Sequence, residues 1–101
     1  MAYFNEREAA YLPLIRVRCG ESERRIPARV MGHWALHPAE NGGGGWSVTH
    51  VPSGKAVNGF ATRDSAEWAC IELGAADIGE DIARHDRGAI LEIVERCKGA
   101  A

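Results

Sequence analysis

Four histidines and three cysteines are the side chains of this 101-residue chain best suited to metal or nucleophilic chemistry. His33 and His37 stand four apart, a spacing that chelates zinc on a helix. The residues around them alternate as a strand, however, and at ~3.3 Å per residue that spacing puts the two imidazoles roughly 13 Å apart. No Cys-x-x-Cys and no second His-x-x-x-His occurs. No metal is therefore expected, and the histidines should be solvated or hydrogen-bonded. Cys70 shares a helical stripe with Ala66, Ala69 and Leu73, and Cys97 ends another, so both read as small core hydrophobes. Cys19, at a strand end before Gly20, is the cysteine expected at the surface, with Arg18 beside it to lower its pKa. No Gly-x-Ser-x-Gly elbow is present. The glycine run from Gly42 to Gly45 leads into a strand at Trp46, which leaves no helix N-terminus behind it to receive a phosphate. Gly54-Lys55 lacks the rest of a P-loop. No two groups fall together for acid–base, nucleophilic or metal chemistry, so the chain is expected to be a binding protein without cofactor rather than an enzyme.

Two charge clusters remain. Arg16, Arg18, Arg24, Arg25 and Arg29 gather on the first two predicted strands and the turn between them, where they could sit on phosphates. Residues 64 to 86 hold Asp64, Glu67, Glu72, Asp77, Glu80, Asp81 and Asp86 against Arg84, a balance of −6 in a chain whose net charge is −2. An acidic surface of that kind suits docking on a basic groove of a protein or ribonucleoprotein complex. Asp64, Glu67 and Glu72 should face away from the Ala66, Ala69, Cys70 and Leu73 stripe.

The elements that must position these groups are legible in part. In residues 1 to 13, Asn5 and Glu8 have capping spacing and Pro13 ends whatever short helix or arm forms there. Leu14 to Cys19 alternates as a strand, and Gly20-Glu21-Ser22-Glu23 reads as a turn. From Ile26 to Leu36 one longer alternation predicts a second strand bent at Gly32, with Ile26, Ala28, Val30, Trp34 and Leu36 on one face. Asn41 to Gly45 is a loop. Trp46 to Val51 and Ala56 to Phe60 then form a hairpin around Pro52-Ser53-Gly54-Lys55, the first arm half-buried. Thr62 or Asp64 can cap the helix that follows, Asp64 and Glu67 having capping-box spacing, and Gly74 is a plausible C′ residue. Asp77 and Glu80 repeat the capping spacing, and Ile78, Ile82, Ala89, Ile90, Ile93, Val94 and Cys97 lay down a helical stripe that Gly88 could split, with Asp86 capping the second piece. The expected fold is α+β: one domain over residues 1–101, an antiparallel sheet of three to four strands within 14–60, and two to three helices within 62–98 packed on one face. Trp34, Trp46 and Phe60 should help form the sheet–helix interface.

The apolar share of 46% and charged share of 26% are those of a globular protein. No apolar run approaches the ~20 residues a bilayer demands, and the N-terminus carries acids where a signal peptide needs an apolar core. The odd number of widely spaced cysteines suggests reduced thiols and a cytoplasmic protein.

The segment Gly59-Phe60-x-Thr62-x-x-x-Ala66-x-x-Ala69 after a hairpin resembles the arm-type DNA-binding domain of phage-like tyrosine integrases and the plant ethylene-response-factor domain. That resemblance covers about thirty residues and implies a small sheet laid in the major groove and braced by a helix. The chain departs from it where the groove would be read, offering Ser47, Thr49 and Lys55 in place of several basic residues and carrying an acidic helix. In size, composition and hairpin–helix segment the chain also resembles the small accessory proteins of phages and mobile elements. Anti-CRISPR inhibitors and toxin immunity proteins are two such classes. The likeness implies stoichiometric docking on a host complex.

Overall fold

The computed structural model describes residues 4–19, 21–39, 45–76 and 87–99, apart from the side chains of Cys19 and Arg87. Chain order is α1 (Glu6–Ala9), β1 (Leu14–Cys19), β2 (Ser22–Pro27), β3 (Arg29–Met31), β4 (Trp34–Pro38), β5 (Trp46–His50), β6 (Ala56–Phe60), α2 (Arg63–Ala75) and α3 (Arg87–Gly99). The fold is α+β. β1 and β2 form an antiparallel ribbon by themselves, and β3-β4-β5-β6 form a four-stranded antiparallel meander.

The single bent strand expected over Ile26 to Leu36 is divided. Gly32 adopts φ +70, a left-handed conformation that side chains resist, and the chain reverses at Gly32-His33 so that Met31 pairs with Trp34 and Arg29 with Leu36. Ser22 and Glu23 likewise belong to β2, with Cys19 opposite Ser22, so the turn there is shorter than expected. A two-residue reversal also exchanges faces. Cross-strand partners share a side, so Arg29 and Met31 join Trp34 and Leu36, while Val30 joins Ala35.

The face bearing Trp34, Leu36, Trp46, Val48 and Phe60 packs on α2 and α3 through Ala66, Ala69, Cys70, Leu73, Ile90, Val94 and Cys97. Trp34, Trp46 and Phe60 lie at the expected interface, and burying each such side chain contributes ~1.5 to 3 kcal/mol. The opposite face carries the cross-strand row Ala35, Thr49 and Ala56. Against it lie Ile15, Val17 and Ala28 from the ribbon and its exit, with Ile26 and Val51. Arg18 N–H donates to the Gly54 carbonyl at 3.0 Å, fastening the ribbon to the β5–β6 turn. β4 and β5 are thus covered on both sides, which is why Ser47 and Thr49 are fully buried and β5 is not the half-buried strand its alternation suggests.

Thr62 caps α2, its Oγ1 accepting from Ser65 N–H at 3.1 Å. Gly74, expected just past the helix, lies inside it, and Ala76 is the C-cap. α3 is described from Arg87, so Gly88 lies in its first turn; the segment it was expected to divide from α3, with the Asp86 cap, the capping pair Asp77 and Glu80, and the apolar positions Ile78 and Ile82, lies outside the described residues. The N-terminal arm is tied down as its capping spacing implies. Asn5 Oδ1 accepts from Glu8 N–H at 2.8 Å, Phe4 meets Trp46 edge-on at 5.2 Å, and the Arg63 guanidinium lies over Phe4 at 5.1 Å. The same guanidinium grips both oxygens of Glu8 at 2.7 Å.

Candidate functional site

The histidines are structural where they are buried. His37 Nδ1 lies 2.8 Å from the Pro38 carbonyl, which can only accept, so this nitrogen carries the proton; Nε2 lies 2.6 Å from Thr49 Oγ1. His50 Nδ1 accepts from Ser53 N–H at 3.3 Å, and its ring meets Trp34 edge-on. His33 sits in the exposed β3–β4 turn. Ser47 Oγ donates to Asn58 Oδ1. Among the described residues no three histidines, cysteines or carboxylates are placed to hold one metal ion, and no buried side-chain nitrogen or oxygen lacks a hydrogen-bond partner. Burial pushes the Cys70 thiol up to about 12 and the Cys97 thiol in the same direction, so both are held as neutral thiols, poor nucleophiles. The exposure expected of Cys19 concerns a side chain outside the described residues. Among those residues no helix is long and apolar enough to cross a membrane.

What remains chemically distinctive lies on the surface. α2 buries Ser65, Ala66, Ala69, Cys70 and Leu73. Its opposite side presents Asp64, Trp68 and Ile71 at intervals of four and three residues, one helical stripe. Trp68 is 37% and Ile71 52% exposed. Glu67 and Glu72 flank the stripe, both half-buried. Glu72 is engaged twice, Oε1 accepting from the Trp68 indole N–H at 3.0 Å and Oε2 from Arg96 Nη2 at 3.0 Å. Glu67 faces Arg29 Nη2 at 3.7 Å. Of the six carboxylates expected to form an acidic docking surface, Asp64, Glu67 and Glu72 therefore do share the outer side of α2. Two of them already have cationic partners, and Asp77, Glu80 and Asp81 lie outside the described residues.

The five arginines are split. Arg16, Arg18 and Arg25 share the outward face of the ribbon, Arg16 directly opposite Arg25 and Arg18 opposite Glu23. Arg24 is opposite Val17 and exposed. Arg29 leaves the group, because the reversal at Gly32 turns it toward α2 and Glu67. Since the helices and the ribbon cover opposite faces of the four-stranded sheet, the α2 stripe and the arginine ribbon look away from each other.

The apolar anchor on α2 was not legible in advance. Trp68 and Ile71 stand in sequence among alanines and acids, and only the 64–68–71 spacing, read as an outward stripe, could have flagged them. No family model, curated protein or solved structure matches the chain. Geometry therefore defines the class: a layered α+β domain whose two outer surfaces differ in chemistry, one an aromatic–acidic helix face and the other an arginine ribbon.

Proposed function

We propose that this protein is a non-catalytic binding module that docks on a partner protein through the outer face of α2, with Trp68 and Ile71 as anchors inside an acidic frame. The observation that carries the reading is Trp68. A large indole is presented to solvent beside Ile71 on the side of the helix opposite its buried Ala66, Ala69, Cys70 and Leu73, and Glu72, itself held by Arg96, fixes its direction. Exposed aromatic anchors inside a polar rim supply most of the energy of protein–protein interfaces. An anchor already fixed loses little rotamer freedom on binding. The surplus of carboxylates over 64–86 favours a basic partner and faster encounter, with attraction screened over ~10 Å in 0.1 M salt. The mode of action agrees with what the resemblance to phage and mobile-element accessory proteins implies: an anti-CRISPR-like inhibitor, or a toxin immunity protein, blocking a basic groove of a host complex.

The test begins with capture of the partner from the native host and its identification by mass spectrometry, followed by calorimetric titration of the purified pair. Trp68→Ala should weaken binding about 30-fold or more, as for an interface hot spot of ~2 kcal/mol, with the melting temperature nearly unchanged. Asp64→Lys/Glu80→Lys should slow association. A partner that binds Trp68→Ala as tightly as the unaltered protein would overturn the assignment.

A further inference from the structure

We infer that the β1–β2 ribbon is a second and separate contact surface, for the phosphate backbone of duplex DNA. Arg16 and Arg25 are directly opposite each other across the ribbon, and like charges so placed oppose folding. Arg18 follows on the same face two residues along, roughly 7 Å away. The compensation is thin: Glu23 Oε1 is shared between Arg16 Nε at 3.8 Å and Arg18 Nε at 4.0 Å, and Arg25 has no ion pair among the described residues. Arg16 Nη2 donates to the Pro52 carbonyl at 3.2 Å, which braces the guanidinium. A row of cations kept together against their mutual repulsion, on the outward face of a ribbon whose other face packs Ile15 and Val17 on the sheet, is complementary to a regular polyanion.

Shape narrows the occupant. A two-stranded ribbon fits the ~12 Å major groove of B-DNA with its arginines against the flanking phosphates, whereas the deep, narrow major groove of A-form RNA admits no such element. The chain is net acidic, so binding spread over the whole surface is not expected. The carboxylate-bearing face of α2 lies on the far side of the sheet, which turns the ribbon toward a DNA field.

Fluorescence anisotropy with a labelled 20-base-pair DNA duplex of mixed sequence tests this between 50 and 200 mM NaCl. Three phosphate contacts, by Arg16, Arg18 and Arg25, predict a log–log salt slope of about −2.7, hence about 40-fold weaker binding across that range. Arg16→Gln/Arg25→Gln should reduce the slope to about −0.9 and weaken binding at 50 mM at least tenfold. The same variant should melt no lower than the unaltered protein, since it removes a repulsive pair; a merely structural role would lower its melting temperature. Trp68→Ala should leave DNA binding unchanged, which separates failure here from failure of the α2 assignment. The inference is overturned by absence of saturable binding at 50 mM, by binding that survives Arg16→Gln/Arg25→Gln, or by equal affinity for an RNA duplex of the same length.

Discussion

Cys70 offers a direct measurement of how completely the helix–sheet core excludes water. The side chain is 1% exposed and packs with Leu73, Val94 and Cys97. Burial first, then the nearby Glu67 and Cys97, raise its thiol from 9.0 to about 12. Folding therefore holds this proton. The stabilisation is complete below pH 9 and is lost as pH rises from 9 toward 12, because the unfolded chain releases the proton in that window and the folded chain does not. Each pH unit there is worth about 1.4 kcal/mol, so moving from pH 8 to pH 10.5 should cost about 2 kcal/mol through Cys70 alone. Urea denaturation followed by circular dichroism at both pH values, on the unaltered protein and on Cys70→Ala, isolates the effect. The cavity left by the substitution lowers stability equally at both pH values, and every other ionisable group is common to both proteins. The unaltered protein should lose about 2 kcal/mol more than the variant; parallel losses would show that the thiol ionises freely in the fold. The same displacement makes the native thiolate about 1000-fold scarcer at pH 8 than in an ordinary thiol. Iodoacetamide should reach Cys70 only through unfolding, and rapid alkylation of Cys70 itself in the native protein, located by peptide mapping, would contradict its burial.

Gly45→Ala and Gly32→Ala place a side chain on similar left-handed backbone, φ +77 and +70, but in different surroundings. A Cβ at position 45 would lie 2.8 Å from the Phe60 carbonyl oxygen, whereas one at 32 meets nothing within 4 Å. Gly32→Ala should cost about 1 to 2 kcal/mol and Gly45→Ala a further ~1 to 3 kcal/mol in thermal melts, and equal costs would contradict the close approach. The Arg63 hydrogen bond holds the Glu8 carboxyl below its ordinary 4.5, so its contribution is complete above that pH and lost as pH falls through the folded value. Trp46 fluorescence should then report release of Phe4 below about pH 4.5 in a transition that Glu8→Gln abolishes. Leu73→Ala, inside α2, should cost about 2 to 5 kcal/mol, and Ile71→Ala, on its outer side, within about 0.5 kcal/mol by chemical denaturation.

Local chemistry was legible where one residue decides one bond. The Asn5 cap, the boundaries of β1 and β6, the inward stripe of α2 and, except for the exposed Ala89, the described part of the α3 stripe all follow from spacing within a few residues. The Gly32 reversal was not, because Ile26 to Leu36 alternates whether the chain runs straight or folds back. Only the positive φ at Gly32, not its presence, distinguishes the two. The burial of Ser47 and Thr49 was hidden for a related reason. A polar residue at every second position signals a solvent face unless another element covers it, and the covering ribbon comes from a strand pair more than twenty residues earlier.

Charge was the least legible property, because sequence counts carboxylates while tertiary structure pairs them. Glu67 and Glu72 add to the acidic balance of 64–86, yet their partners Arg29 and Arg96 come from β3 and α3, and no spacing rule within α2 could place either. Such half-exposed pairs contribute little to stability, about 0 to 1 kcal/mol each, but they alter what the surface offers. A partner drawn to α2 by charge alone would compete with Arg29 and Arg96 for the same carboxylates. One that also seats Trp68 and Ile71 gains apolar contact without breaking those pairs. The reverse holds on the ribbon, where removing Arg29 to the other side of the sheet leaves Arg16, Arg18 and Arg25 as one group on the outward face. One reversal at Gly32 thus strengthens the case for the arginine ribbon and shifts the case for α2 from its acids to its indole.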